Sequence, residues 1–176
     1  MPALALTDHG ALYGAVDFYT LCRDAGIKPI VGVETYVARQ SRFDRDPRLE
    51  GHGKPWHLVL LATDFTGYQN LVALVTAAHL DGYYYRPRMD KELLRERGQG
   101  LIALSGCLQG ELARALQDEG LDAACAVAEE HRGIFGSDYY LELMSHGIEE
   151  QSRVNEGIRE VARRTGIALV VTNDIH

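Results

Sequence analysis

Short apolar runs alternate along this chain with segments of helical periodicity, and that alternation restricts the fold more than any other feature. The runs cover residues 2–6, 29–37, 57–62, 101–104, 139–144 and 167–172. The periodic segments cover 13–25, 64–80, 91–97, 110–117, 122–135 and 149–164. Such a pattern predicts an α/β barrel or an open parallel sheet, with helices returning the chain between strands. Runs 101–104 and 167–172 are apolar throughout, as expected of parallel strands covered on both faces. In 64–80, Leu71, Leu74, Val75 and Ala78 recur at helical spacing, and Thr63 or Asp64 is placed to cap the first turn. Gly26 and Gly166 sit where helices end in a left-handed residue. The polar, charged, glycine-containing stretch 39–55 is expected to be a loop or hairpin excursion.

The 176 residues are enough for one domain with a real core. Apolar residues make up 46% and charged residues 24%, which argues against disorder. No apolar run reaches 18 residues, and the first residues lack a basic-then-apolar leader, so no membrane contact is expected. Cys22, Cys107 and Cys125 are odd in number and form no CxxC pair, so a reducing, cytoplasmic setting is expected. The net charge of −7 disfavours tight duplex wrapping and leaves room for a carboxylate-rich metal site. The chain starts directly on an apolar run and stops straight after another. It is therefore expected to be a fragment of a longer protein.

Metal-capable side chains gather at the predicted strand ends. Asp8 and His9 follow the first run, Glu34 lies inside the second, His57 opens the third, Cys107 follows 101–104, and Asp174 and His176 follow the last. In α/β folds the carboxyl ends of strands face the ligand crevice, so residues distant in sequence converge there. Taken singly, each has an ordinary reading. His9 is as well suited to capping a helix, and a lone Cys107 is more often a small buried hydrophobe. Glu34 resists that treatment, because a carboxylate in an apolar strand must be paired or bind metal. Asp174 and His176 share one side of an extended segment. The third run carries its candidate ligand at its start. It is therefore expected to run antiparallel to 29–37, which would bring His57 beside Glu34. His146 is placed in a loop near the mouth, and His52, His79 and His131 are read as surface residues. The run Tyr83-Tyr84-Tyr85-Arg86-Pro87-Arg88 either packs a loop or stacks bases and binds phosphates; packing is favoured, given the acidic chain.

Thr7-Asp8-His9-Gly10, Gly32-Val33-Glu34, 57–62, Ser105-Gly106-Cys107 and Thr172-Asn173-Asp174-Ile175-His176 together resemble the PHP (polymerase and histidinol phosphatase) domain. They resemble in particular the version carried by bacterial replicative DNA polymerase III alpha subunits, a likeness that extends to 82–88, 140–143 and 153–157. It implies that 1–176 is a PHP domain with the fold of a distorted seven-stranded β/α barrel. The barrel would be incomplete here, because the first strand, with its His-x-His and acidic ligands, and the closing strands fall outside the chain. His9, Glu34, His57, Cys107, Asp174 and His176 fall on metal-ligand positions of the family, with Asp8 and His146 as supporting neighbours. Arg86 and Arg88 become candidates for DNA or interdomain contact.

The resemblance implies up to three divalent ions in the intact domain. Imidazole, carboxylate and thiolate donors favour Zn²⁺ or Mn²⁺, while Mg²⁺ would serve a polymerase site outside this chain. The implied activity is metal-dependent phosphodiester hydrolysis, as a 3′–5′ proofreading exonuclease within a DNA-directed DNA polymerase of DNA replication. Partners would be DNA, the remaining polymerase domains and replisome subunits such as the sliding clamp. The alternatives are a histidinol-phosphatase-like phosphoesterase and a catalytically inert scaffold. The isolated chain is expected to be inactive, since part of the ligand set lies upstream.

Overall fold

A computed structural model describes residues 1–46 and 54–173. Seven strands and six α-helices are present among them. The strands are β1 (Ala3–Leu6), β2 (Lys28–Val37), β3 (Trp56–Ala62), β4 (Arg88–Met89), β5 (Leu101–Leu104), β6 (Tyr139–Met144) and β7 (Leu169–Thr172). The helices are α1 (Ala15–Asp24), α2 (Phe65–Leu80), α3 (Lys91–Arg97), α4 (Glu111–Asp118), α5 (Leu121–Phe135) and α6 (Glu149–Thr165).

All seven strands form one sheet in the order β1-β2-β3-β5-β6-β7, with β4 on β2. Because β3 occupies one edge of β2 along 32–37, β4 extends the edge begun by β1. The sheet is mixed rather than parallel. β3 runs antiparallel to both β2 and β5, and the remaining pairs are parallel. The reversal of the third run is as expected. It pairs Tyr36 with His57 and Glu34 with Val59. Cross-strand partners share a face, so Glu34, Tyr36, His57 and Val59 lie on one side.

That side is concave. Ala5 on β1 and Val170 on β7, at opposite ends of the strand order, line the same cavity of about 420 Å³ with Val59, Leu104 and Glu142 between them. The sheet thus curls into a half-barrel. Its convex face carries the core: Val33, Val37, Leu58 and Leu60 pack with Leu71 and Leu74 of α2, Leu94 of α3 and Leu112 of α4. Asp64 supplies the α2 cap, accepting the Gly67 N–H at 2.8 Å. Gly26 and Gly166 have positive φ at the ends of α1 and α6, as predicted.

Two further expectations are corrected. β7 is not covered on both faces: Val170 faces the concavity, while Leu169 is 42% and Val171 74% exposed. Helix α6 buries Val154, Ile158 and Val161, yet this cover does not reach the outer face of the edge strand. His131 is not a surface residue. It lies on the α5 face that buries Ala124, Ala128 and Phe135, hydrogen-bonds through Nε2 to the Glu111 carboxylate at 2.9 Å and stacks on Tyr139. Burial is tolerable because Glu111 supplies its partner. His79 is half-buried, with Nε2 2.9 Å from the Gly10 carbonyl. His52, Asp174 and His176 lie outside the described residues.

Candidate metal centre

The mouth of the half-barrel is assembled by backbone pairing. After β1 the chain continues along the edge of β2: the Glu34 N–H donates to the Asp8 carbonyl at 3.1 Å, and the Gly10 N–H donates to the Glu34 carbonyl at 2.8 Å. This fixes His9 opposite Glu34 as a single parallel bridge. On the other edge of β2, β3 begins at the same end and delivers His57. His9, Glu34 and His57 each offer a ligand atom, and these atoms lie within 4.8 Å of one another. Nε2 of His9 is 3.6 Å from Glu34 Oε2, and Nδ1 of His57 contacts Glu34 Oε1. The two imidazole rings meet edge to face at 6.0 Å.

Cys107 joins from β5. Its Sγ lies 3.7 Å from His57 Nδ1. The approach depends on Gly106, whose φ is +83° and where a Cβ would come within 2.7 Å of the His57 carbonyl oxygen. Only glycine meets both demands without displacing β3.

The electrostatics suit a cation. Glu34 is 2% exposed, and a carboxylate so buried requires compensating charge. Without a bound cation, a proton on His57 would supply it. Burial opposes that proton, but the hydrogen bonds to Cys107 and then Glu34 outweigh burial and raise the His57 pKa from 6.5 to about 9. Two imidazoles, one carboxylate and a nearby thiol are a donor set for Zn²⁺ or Mn²⁺, so the residues fit a divalent metal.

The other predicted residues divide. Asp8 uses its carboxylate to accept the Gly14 N–H at 3.1 Å, anchoring the entry to α1. His146 is exposed after β6, with Nε2 3.2 Å from the Asn173 carbonyl. Arg88 is buried and structural: its guanidinium donates to the carbonyls of Gly82 and Asp44 at 3.1 and 2.6 Å. Arg86 is exposed, stands 5.4 Å over the Tyr36 ring and lines a cavity of about 640 Å³ together with His9, His57, Lys54 and Tyr85.

Glu142 was not singled out from the sequence. It is 3% exposed on β6, and its carboxylate accepts the Gly106 N–H at 3.0 Å and the Thr172 hydroxyl at 2.5 Å. The signal was the one used for Glu34, a carboxylate inside an apolar strand.

The fold and this cluster define a class, and the family comparison names it: residues 1–146 match the PHP domain, and the chain belongs to that family. Three of the relatives it matches illustrate the similarity. The chain is 51% identical to the DNA polymerase III subunit alpha of Thermus aquaticus, 46% to that of Treponema pallidum and 44% to that of Deinococcus radiodurans, in each case over 99% of this chain. It spans only 14%, 15% and 13% of those relatives, respectively. No helix among the described residues is long and apolar enough to cross a membrane.

Proposed function

We propose that 1–176 is the PHP domain of a DNA polymerase III alpha subunit and that its mouth hydrolyses phosphodiester bonds at DNA 3′ ends as a metal-dependent 3′–5′ exonuclease. One observation carries this reading: the buried Glu34 lies between His9 and His57 at an open mouth, with the Cys107 thiol alongside. His9, Glu34, His57 and Cys107 would hold Zn²⁺ or Mn²⁺. The family resemblance adds Asp174 and His176 to the same shell, with up to three ions in the complete domain. Bound ions of this kind acidify a coordinated water and neutralise charge on the scissile phosphate.

The protein's own residues do the rest. Glu34 and His57 are fixed by strand register, so the donors need little reorganisation. Tyr36 walls the site between the two imidazoles, with ring centroids 6.4 Å from His9 and 5.2 Å from His57. Arg86 and Lys54, at the open side, orient a phosphate by charge. DNA synthesis, its Mg²⁺ site, and contacts with other polymerase domains and the sliding clamp would belong to the rest of a cytoplasmic full-length protein.

The test is hydrolysis of a mispaired primer by the full-length protein without nucleotides. Chelator should abolish cleavage, and Zn²⁺ or Mn²⁺ should restore it. Cleavage indifferent to chelator, or none with either metal, would overturn the proposal.

A further inference from the structure

We infer that the exposed ring of Tyr85, with Arg86 and Lys54, forms a subsite that holds the unstacked base and the phosphate of a single-stranded 3′ terminus. This deepens the hydrolytic reading above and rests on it.

Tyr85 is 75% exposed, although a large ring ordinarily gains by burial. Its φ is +56°, and no other non-glycine residue among those described has a positive φ. That conformation is unfavourable for a residue with a Cβ and persists only where the surroundings impose it. Here they do. The Tyr84 N–H donates to the Arg86 carbonyl at 3.1 Å, closing a tight turn around Tyr85. The Tyr84 ring is flanked by the guanidinium groups of Arg88 at 5.3 Å and Arg45 at 5.8 Å. Tyr85 rests edge-on against Tyr84, with centroids 4.8 Å apart. The buried Arg88 therefore anchors a turn whose effect is to display one aromatic ring at the mouth.

The surroundings define the ligand. The ring opens onto the cavity of about 640 Å³ that His9 and His57 also line, within the usual size range of small-molecule sites. Arg86 sits over Tyr36, and Tyr36 touches His57, so a cation lies in line with the cluster. Lys54 adds a second. Paired cations are notable in a chain of net charge −7. A flat aromatic surface beside cations suits a nucleotide, the ring taking the base and the cations the phosphate. A small phosphate monoester without a base would leave Tyr85 unused. A terminal base locked in a duplex stack cannot reach the ring, so the subsite selects frayed or mispaired ends.

The experiment uses full-length protein without nucleotides and two single-stranded oligonucleotides, one with an ordinary 3′-terminal nucleotide and one whose terminal nucleotide is abasic. Wild type should cleave the ordinary end with a kcat/KM about tenfold higher, mostly through KM. Tyr85→Asn tolerates the positive φ and removes the ring; it should bring that ratio close to one. Tyr85→Phe should keep it. A ratio unchanged in Tyr85→Asn would overturn the subsite while leaving hydrolysis standing. If neither end is cleaved by wild type, the hydrolytic reading fails, and a binding measurement decides the subsite. Fluorescence of 2-aminopurine at the 3′ terminus, with chelator present, should be quenched more by wild type and Tyr85→Phe than by Tyr85→Asn; equal quenching by all three would overturn it.

Discussion

The carboxylate of Glu142 accepts the backbone N–H of Gly106 at 3.0 Å, one residue before Cys107. Its other oxygen accepts from Thr172, two residues before Asp174. The Ser105 hydroxyl returns the contact by accepting the Glu142 N–H at 2.8 Å. One buried carboxylate thus ties together two strand ends that carry candidate ligands. Replacing Glu142 with Leu should weaken divalent-metal affinity by roughly 10–100-fold. Thr172→Val should weaken it less, since only one bond is lost. Competition with a chromophoric chelator measures both. The Co²⁺-substituted protein supplies a second readout, because a thiolate-to-metal band should fade in the Leu variant. Wild-type affinity and an intact band in Glu142→Leu would show that Cys107 does not depend on this tie.

His57 should make metal uptake depend on pH. Its pKa rises from 6.5 to about 9 on folding, so its proton stabilises the metal-free centre fully below pH 6.5. That stabilisation is lost as pH climbs through about 9. A metal must displace the same proton, so apparent affinity should rise about tenfold per pH unit between 7 and 8. Isothermal titration in buffers of different ionisation enthalpy should detect the proton released at pH 7. Affinity independent of pH across this window would contradict a protonated His57.

Arg86 and Arg88 should separate cleanly by substitution. Arg88→Ala removes the guanidinium that donates to Gly82, Arg42 and Asp44 and should cost about 2 kcal/mol in denaturant unfolding. Arg86→Ala should leave stability within about 0.5 kcal/mol and raise KM for oligonucleotide cleavage. Equal stability losses in the two variants would refute the division.

Much of this was legible in the sequence. Periodicity located the helices and every strand except the two-residue β4, and the position of His57 at the start of its run predicted the reversal of β3. Glu34 could be read because a carboxylate in an apolar strand needs a partner wherever the strand lies. The sequence could not separate Arg86 from Arg88, because the difference comes from the 42–45 segment folding back over Arg88. Nor could it place His131, whose burial depends on Glu111 of α4 arriving opposite it. The exposed outer face of β7 was hidden too: an apolar run reads the same whether or not a helix covers it.

The central claim is that Glu34, between His9 and His57, is part of a metal centre. Its most direct test is the metal content of full-length protein after dialysis against Zn²⁺ or Mn²⁺ and then metal-free buffer, measured by elemental mass spectrometry. Wild type should retain at least about one equivalent. Glu34→Gln, of nearly the same shape but without the buried charge, should retain markedly less while keeping its circular dichroism spectrum. Equal metal in both proteins, or none in wild type, would contradict the account.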